Sequence, residues 1–175
     1  MKNNSIAVIG AGKWGQALHF ALSQKQKVLI TSRTKKEIEN FVDLKTALES
    51  KYLIIAIPAQ EIRSWLKENF VFNGQKILVA SKGIEASTGQ FLNEIYADFV
   101  PEKNIGFISG PSFATEVRQG LPCALVINSN SKKLFEEFSP FFPNFIKTYY
   151  SSDVIGAEVA GAYKNVLAIA SGICE

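Results

Sequence analysis

The stretch SIAVIGAGKWG at residues 5–15 decides the fold of this chain, because an apolar strand-like run passes directly into a glycine-rich turn. Helix-like residues follow at 16–22. In this order Gly10 permits a tight turn, and Gly12 lets backbone N–H groups approach a pyrophosphate. Gly15 lets the new helix pack close to the strand, so that the unpaired N–H groups of its first turn face the phosphates. A glycine turn without a ligand is the alternative, but a position directly after an apolar strand favours dinucleotide binding.

Length and composition indicate one globular domain. The chain has 175 residues, of which 47% are hydrophobic and 20% charged, as is typical of soluble proteins. Its net charge of +3 suits an anionic small molecule and argues against a nucleic-acid partner. The two cysteines lack metal-site spacing, so no metal is expected. No signal-peptide pattern is present, and Glu158 and Lys164 interrupt the apolar run at 155–173. We therefore expect no membrane span and a cytoplasmic location.

Apolar runs alternate with helix-like segments along almost the whole chain. Short runs that are apolar on both faces are typical of buried parallel strands, and strands that alternate with helices form right-handed βαβ units. The sequence therefore predicts an α/β fold with a doubly wound, mostly parallel Rossmann-type sheet flanked by helices. Strands are predicted at residues 5–9, 28–31, 52–57, 76–80, 105–108 and 124–127, with a weaker one at 147–150. Helices are predicted at residues 14–23, 35–41, 60–68, 88–99, 112–119 and 132–142.

The residues that directly follow the predicted strands share one chemical character. Ligands of such sheets bind beyond the carboxyl ends of the strands. Glycines, hydroxyls and two cations follow these strands, and the strand-end turns contain no carboxylate. The sequence therefore predicts an anion-binding edge.

The end of the second strand bears on the choice of cofactor. An enzyme that prefers NAD usually has Asp or Glu there to bind the ribose 2′-OH, whereas this chain has Ser32 and Arg33. A guanidinium pairs well with a 2′-phosphate, so NADP is favoured, alone or beside NAD. Lys35 and Lys36 add positive charge nearby, although for each lysine a solvated surface position is the plainer interpretation.

Four further residues are candidates for binding or chemistry. Lys82 follows an apolar strand and precedes a glycine, so its ammonium is placed to hold a phosphate or a substrate hydroxyl. Gly110 and Ser112 form a stiff turn with a hydroxyl at the next helix start, although a plain helix cap remains an alternative. Lys164 is the only cation after residue 154 and lies among small residues, where partial desolvation would tune it for acid–base work. A snorkelling lysine is the alternative there. His19 is expected to pack on the first helix.

Four motifs together resemble those of the bacterial NAD(P)-dependent glycerol-3-phosphate dehydrogenases. They are GAGKWG at 10–15, SKGIE at 81–85, SGPSFATEV at 109–117 and GAEVAGAYKNVLAIASGI at 156–173. The resemblance covers nearly the whole chain in the right order, and the last two motifs are highly specific. It implies reversible reduction of dihydroxyacetone phosphate to sn-glycerol 3-phosphate by NADPH or NADH, which supplies the backbone of phospholipids.

The resemblance also implies roles for individual residues. Lys164 matches the family's catalytic lysine, which protonates the alkoxide during reduction, and Lys82 would touch both cofactor and substrate. The substrate would be lined by Lys82, Gly110, Ser112 and Lys164. The cofactor would contact Gly10, Gly12, Lys13, Trp14, Gly15, Arg33, Lys82 and Ala114.

The chain departs from the family pattern in two places. The segment between Arg33 and residue 52 is shorter than is usual in the family. The chain also stops at Glu175, where the family continues into a helical domain that closes the cleft. The resemblance thus implies a dinucleotide-binding domain at 1–152 and the start of a helical substrate domain at 153–175. We expect little or no turnover from this chain alone.

Two other functions stay open from the residues. One is a reductase of the same superfamily that acts on a 2-keto acid, and the other is a nucleotide-binding module without chemistry. The sequence does not fix the oligomeric state, and a homodimer is compatible with it.

Overall fold

The computed structural model describes residues 5–174, and the two expected domains extend beyond this range at either end. Seven strands form one sheet in the order β2-β1-β3-β4-β5-β6-β7. The strands are β1 Ile6–Ile9, β2 Val28–Thr31, β3 Tyr52–Ile55, β4 Lys76–Val79, β5 Ile105–Ser109, β6 Cys123–Asn128 and β7 Ile146–Ser151. The helices are α1 Lys13–Ser23, α2 Leu44–Leu48, α3 Ile62–Asn69, α4 Leu92–Ala97, α5 Ala114–Arg118, α6 Lys132–Phe138 and α7 Val154–Cys174.

The predicted doubly wound sheet is confirmed, and all seven predicted strands are present. β2, β1, β3, β4 and β5 run parallel, so their carboxyl ends meet at one edge. We call this the carboxyl edge of the sheet. β6 pairs antiparallel with β5, and β7 runs parallel to β6. The carboxyl end of β7 therefore lies at the opposite edge, which the sequence did not indicate.

Strand burial explains why the short apolar runs form a sheet. Side chains of β1 alternate between two core clusters: Ile6 and Val8 lie in one, and Ala7 and Ile9 lie in the other. Each cluster packs against helices on its own side of the sheet. His19 is buried on α1, where its Nε2 lies 3.0 Å from the carbonyl oxygen of Val28. The expected packing role of this histidine is confirmed.

The helix predicted at 35–41 is wrong. Asn40 has a φ of +58°, which no α-helix contains, and the backbone beside it pairs with β2 through a bridge between Phe41 and Ile30. The helix lies later in the chain, at α2, where the carboxylate of Asp43 caps it by accepting from the N–H of Thr46 at 3.0 Å. The segment predicted as helix at 88–99 is helical only in α4.

Helix α7 runs along the sheet, from the end opposite the carboxyl edge toward the carboxyl edge. It begins at Val154, directly after β7 and thus at the edge opposite the carboxyl edge. Val154 borders the same cleft as Ile105, the first residue of β5, and Gly161 borders the same cavity as Ser109, the last one. The helix therefore runs alongside β5 toward the carboxyl edge. Within residues 5–174 no helix combines the length and the apolar character needed to cross a membrane.

Candidate functional site at the carboxyl edge

The glycine turn between β1 and α1 has the close packing predicted for it. Gly10 has a φ of +108°, and its N–H donates to the carbonyl oxygen of Thr31 at 2.8 Å. A Cβ at Gly15 would overlap the carbonyl oxygen of Gly10, so only glycine lets α1 start this close to β1. Gly12 caps α1 and has no neighbour within 4 Å of the place where a Cβ would stand. The turn thus packs tightly at Gly10 and Gly15 but is open at Gly12, at the start of an 11-residue helix.

Three other predicted cofactor residues lie in or beside this turn. Lys13 begins α1 and is exposed, and Trp14 is half-buried against the core cluster under β1 and β2. Ala114 begins α5 and packs against the same cluster. Because α1 and α5 are in contact, these residues flank one region of the carboxyl edge.

Arg33 lies at the end of β2 but is held loosely. Its side chain is 90% exposed, and its Nη1 is 3.9 Å from a carboxylate oxygen of Glu61. Glu61 belongs to a single 3-10 turn after β3, so the carboxyl edge does contain a carboxylate that the strand-end turns alone did not reveal. The same β2 loop contains Lys36, whose Nζ donates to the carbonyl oxygen of Ala11 at 2.7 Å.

The loop after β4 carries Lys82 and is held in place by a charged network. The side chain of Arg63 on α3 donates through Nε to both carboxylate oxygens of Glu85, at 2.9 and 3.0 Å. Glu85 is only 5% exposed and also accepts from the hydroxyl of Thr88 at 2.6 Å. Arg63 lowers the pKa of Glu85 below its usual value, and Thr88 lowers it further. This network fixes the loop three residues after Lys82.

Lys164 reaches the same place from α7, but it is exposed there, so the partial desolvation expected from the sequence is wrong. Its Nζ lies 5.1 Å from the ring centroid of Phe113, and a Cβ at Gly161 would contact the side chain of Lys82 at 3.8 Å. Partial burial lowers the pKa of Lys82, and the positive charge of Lys164 lowers it further. The two ammonium groups therefore lie close enough to interact electrostatically, although Lys82 and Lys164 are far apart in sequence.

The turn after β5 closes this lysine pair from the side. Gly110 has a φ of +127°, and a Cβ there would stand 2.7 Å from the carbonyl oxygen of Ala124, so the turn packs tightly on β6. Ser112 follows and is half-buried, and Phe113 is 59% exposed under Lys164. The positive ammonium over an aromatic face is a cation–π contact.

A half-buried carboxylate, to which the sequence analysis gave no role in the site, lies beside Lys82. Glu158 on α7 accepts from the backbone N–H of Asn93, at 3.1 Å to one oxygen and 3.4 Å to the other. It borders a small cavity of about 20 Å³ together with Lys82 and Gly161. Burial raises the pKa of Glu158 to about 7, although the Asn93 N–H acts in the opposite direction. The carboxyl group thus ties α7 to the start of α4.

The predicted site residues thus meet at the carboxyl edge in two groups. One group surrounds the glycine turn, and the other surrounds the lysine pair. Sequence reasoning gave Lys36 little weight and passed over Phe113, Glu85 and Glu158. Phe113, Glu85 and Glu158 all stand inside motifs quoted above, so position within a motif was the signal available for them.

Comparisons with known proteins show which family and which fold the chain resembles. A family model described as the N-terminus of NAD-dependent glycerol-3-phosphate dehydrogenase matches residues 34–135. The chain is 63% identical over 172 residues to glycerol-3-phosphate dehydrogenase [NAD(P)+] of Sulfurimonas denitrificans, covering 98% of this chain and 58% of the relative. It is 58% identical to the protein of that name from Campylobacter jejuni strain 81116, covering 97% and 57%. The chain therefore spans a little under three fifths of the length of these relatives.

The fold matches that of solved structures. The crystal structure of glycerol-3-phosphate dehydrogenase from Coxiella burnetii superposes with a TM-score of 0.82 at 29% identity, covering 98% of this chain and 61% of that one. The superposition extends over the sheet, its flanking helices and α7, since nearly the whole chain is covered.

Proposed function

Since the chain belongs to the NAD-dependent glycerol-3-phosphate dehydrogenase family, we propose that its protein reversibly reduces dihydroxyacetone phosphate to sn-glycerol 3-phosphate with NADPH or NADH. The single observation that carries this proposal is the meeting of Lys82 and Lys164 at the carboxyl edge, beside an open glycine turn. A phosphorylated ketone needs one cation for its charge and one proton donor for its carbonyl oxygen. The lysine pair supplies both.

The turn after β1 fits a dinucleotide. The space above Gly12 is empty of protein atoms within 4 Å, and the first-turn N–H groups of α1 point out of the helix end beside it. The residues that would hold the cofactor are those of the glycine turn with Lys13 and Trp14, together with Arg33, Lys82 and Ala114. When bound, the nicotinamide cofactor supplies the hydride.

The chemistry of the protein's own residues follows from charge. Lys164 would donate its proton to the substrate carbonyl oxygen as the carbonyl carbon receives a hydride, and would take that proton back in the oxidation. Lys82 would hold the anionic end of the substrate with Gly110 and Ser112. Two neighbouring cations attract an anion more strongly than either does alone. The surface of Phe113 under Lys164 keeps water from one side of the ammonium.

We also propose the division into a dinucleotide-binding domain at 1–152 and the start of a helical substrate domain at 153–175. Its support is the second half of α7, where Tyr163, Leu167 and Ile169 are 56%, 58% and 66% exposed. An exposed apolar surface of this kind calls for a covering surface. With the cleft open to water, the lysine pair would act weakly, so low turnover is expected from these residues alone. A cytoplasmic location, a homodimer and a role in phospholipid precursor supply are parts of the proposal that rest on the family.

The test is Lys164→Ala in the protein with its complete natural sequence. We expect turnover with NADPH and dihydroxyacetone phosphate to fall about 10²- to 10⁴-fold, while NADPH affinity stays within about twofold. Lys133→Ala, which removes an exposed lysine on α6, is the matched control and should change neither. Unchanged turnover in Lys164→Ala would remove the proposed proton donor. Wild-type turnover only with 2-keto acids, or NADPH binding without any turnover, would favour the two alternative functions.

A further inference from the structure

Lys36 makes a contact that an ordinary surface lysine does not make. It is an exposed residue of the β2 loop, yet its Nζ lies 2.7 Å from the carbonyl oxygen of Ala11 in the glycine turn. Twenty-five residues separate the two, so the contact is a product of the fold. The segment between β2 and α2 contains no helix that would carry the lysine away.

The place of this ammonium is set by two neighbouring strands. β1 and β2 pair in parallel, and the N–H of Gly10 joins their ends by donating to Thr31. In a fold of this kind the pyrophosphate lies at the start of α1, and the adenosine ribose lies toward the end of β2. A dinucleotide must therefore pass Ala11, where the ammonium of Lys36 stands.

The other candidate cation at this edge is less well placed. Arg33 is almost fully exposed, and the nearby carboxylate of Glu61 competes with any anion for its guanidinium. The hydroxyl of Ser32 already donates to the carbonyl oxygen of Thr34 at 2.7 Å. Among residues 5–174, no carboxylate forms an ion pair with Lys36. No ion pair among these residues therefore competes with a ligand for the ammonium of Lys36.

Lys36 also moves away from its present partner at little cost. The carbonyl oxygen of Ala11 has two lone pairs, and it accepts a second hydrogen bond from Nε2 of Gln16 at 2.9 Å. When Lys36 turns outward, this carbonyl retains a donor, so no buried polar atom is left unsatisfied. The glycine turn keeps its shape in either state.

We propose that Lys36 binds the 2′-phosphate of NADP and so sets the preference of this site for NADPH over NADH. The inference rests on the proposed function only in requiring that a nicotinamide dinucleotide binds at the glycine turn. The ligand group is a ribose phosphate monoester, which carries close to two negative charges at neutral pH. A lysine serves such a group as a compact charge with three donors.

The experiment is titration calorimetry on purified wild-type protein and on Lys36→Ala, Lys36→Gln and Lys36→Arg. The ligands are NADPH, NADH, 2′,5′-ADP and 5′-ADP, which separate the 2′-phosphate from the nicotinamide half. Lys36→Gln keeps a donor for the Ala11 carbonyl without the charge, and Lys36→Arg keeps the charge. The matched control is Lys35→Ala, which removes the same charge one residue away from an exposed position.

We expect the Kd for NADPH and for 2′,5′-ADP to rise about 10- to 100-fold in Lys36→Ala and Lys36→Gln, as for loss of a charged hydrogen bond. NADH and 5′-ADP should bind as to wild type, and Lys36→Arg should restore most of the NADPH affinity. Equal losses for NADPH and NADH would assign Lys36 to the shape of the turn and overturn the inference, as would no loss, or a loss equal to that of Lys35→Ala. A wild-type protein that binds neither dinucleotide would instead overturn the proposed function itself.

Discussion

Gly12→Ala separates the folding of the glycine turn from its binding of a ligand. Gly12 has a φ of −72° and a ψ of −178°, which any residue adopts, and no atom lies within 4 Å of the added methyl group. Alanine is a poorer helix N-cap than glycine by about 0.5–1 kcal/mol. It also lowers the entropy of the unfolded chain, which stabilises the protein by about 0.4–1 kcal/mol. The net change in the free energy of unfolding should stay within about 1 kcal/mol. For a chain of this size that corresponds to about 2–4 °C in Tm.

Gly15→Ala supplies the contrast within the same turn. Its added methyl group would overlap the carbonyl oxygen of Gly10 and come within 3.0 Å of the carbonyl carbon, and neither backbone atom can rotate away. Overpacking of this kind costs about 1–3 kcal/mol, which corresponds to a fall in Tm of about 2–12 °C. The two substitutions are chemically identical and three residues apart, yet Gly15→Ala should destabilise the protein more than Gly12→Ala.

The assay combines thermal unfolding with titration of NADPH. In Gly12→Ala, the methyl group stands where the pyrophosphate approaches the backbone, so the Kd should rise at least about tenfold while Tm barely moves. Gly172→Ala on α7, where a Cβ also meets nothing within 4 Å, is the control and should leave NADPH affinity intact. If a stable Gly12→Ala protein binds NADPH as tightly as wild type, the dinucleotide does not rest on this turn, and the site must be placed elsewhere.

Two carboxylates give further predictions through the pH dependence of stability. Arg63 holds the pKa of Glu85 below its usual value, so the stabilisation is present above the unfolded-state pKa and is lost as the pH falls through the folded-state pKa. Glu85→Gln should therefore lower Tm at pH 7, and its difference from wild type should shrink in acid; a constant difference would contradict the ion-pair explanation. For Glu158 the sign is opposite, because burial raises its pKa to about 7, so the stabilising contribution is present at low pH and lost as the pH rises through 7. In urea unfolding, the free energy of unfolding of the wild type should decline between pH 5.5 and pH 8, and Glu158→Gln should reduce this decline. An equal decline in both proteins would contradict the explanation by Glu158.

The sheet was predictable because buried parallel strands have a characteristic local sequence pattern. A run such as Leu53 to Ile55 is apolar on both faces, and few structures other than an interior strand accept it. The glycine turn was predictable for a related reason, since Gly10 and Gly15 each answer a steric demand at a fixed spacing from β1, and Gly12 leaves space at the helix start.

The helix wrongly predicted at 35–41 shows that local helix propensity does not determine the structure of this segment. Its residues have acceptable helix propensity, but Asn40 adopts a left-handed conformation and the next residue joins the sheet edge beside Ile30. Pairing with β2 is a long-range gain that outweighs propensity. The same loop conformation brings Lys36 to the glycine turn. Lys36, which the sequence analysis interpreted as a solvated surface residue, thus belongs to the segment that was wrongly predicted to be helical.

The lysine pair depends on a reversal that no motif encodes. Because β6 runs antiparallel to β5, and β7 follows β6, the chain leaves the sheet at the edge opposite the cofactor turn. From Val154 to Lys164, α7 then rises about 15 Å, which is close to the length of the five-residue strand β5 beside it, at about 16 Å. The ten-residue spacing from Val154 to Lys164 thus brings the ammonium of Lys164 back to the carboxyl edge, where Lys82 lies after the end of β4. Had β6 and β7 run parallel to β5, α7 would start at the carboxyl edge and carry Lys164 away from Lys82. The antiparallel strand is therefore as necessary to the proposed chemistry as the lysine itself.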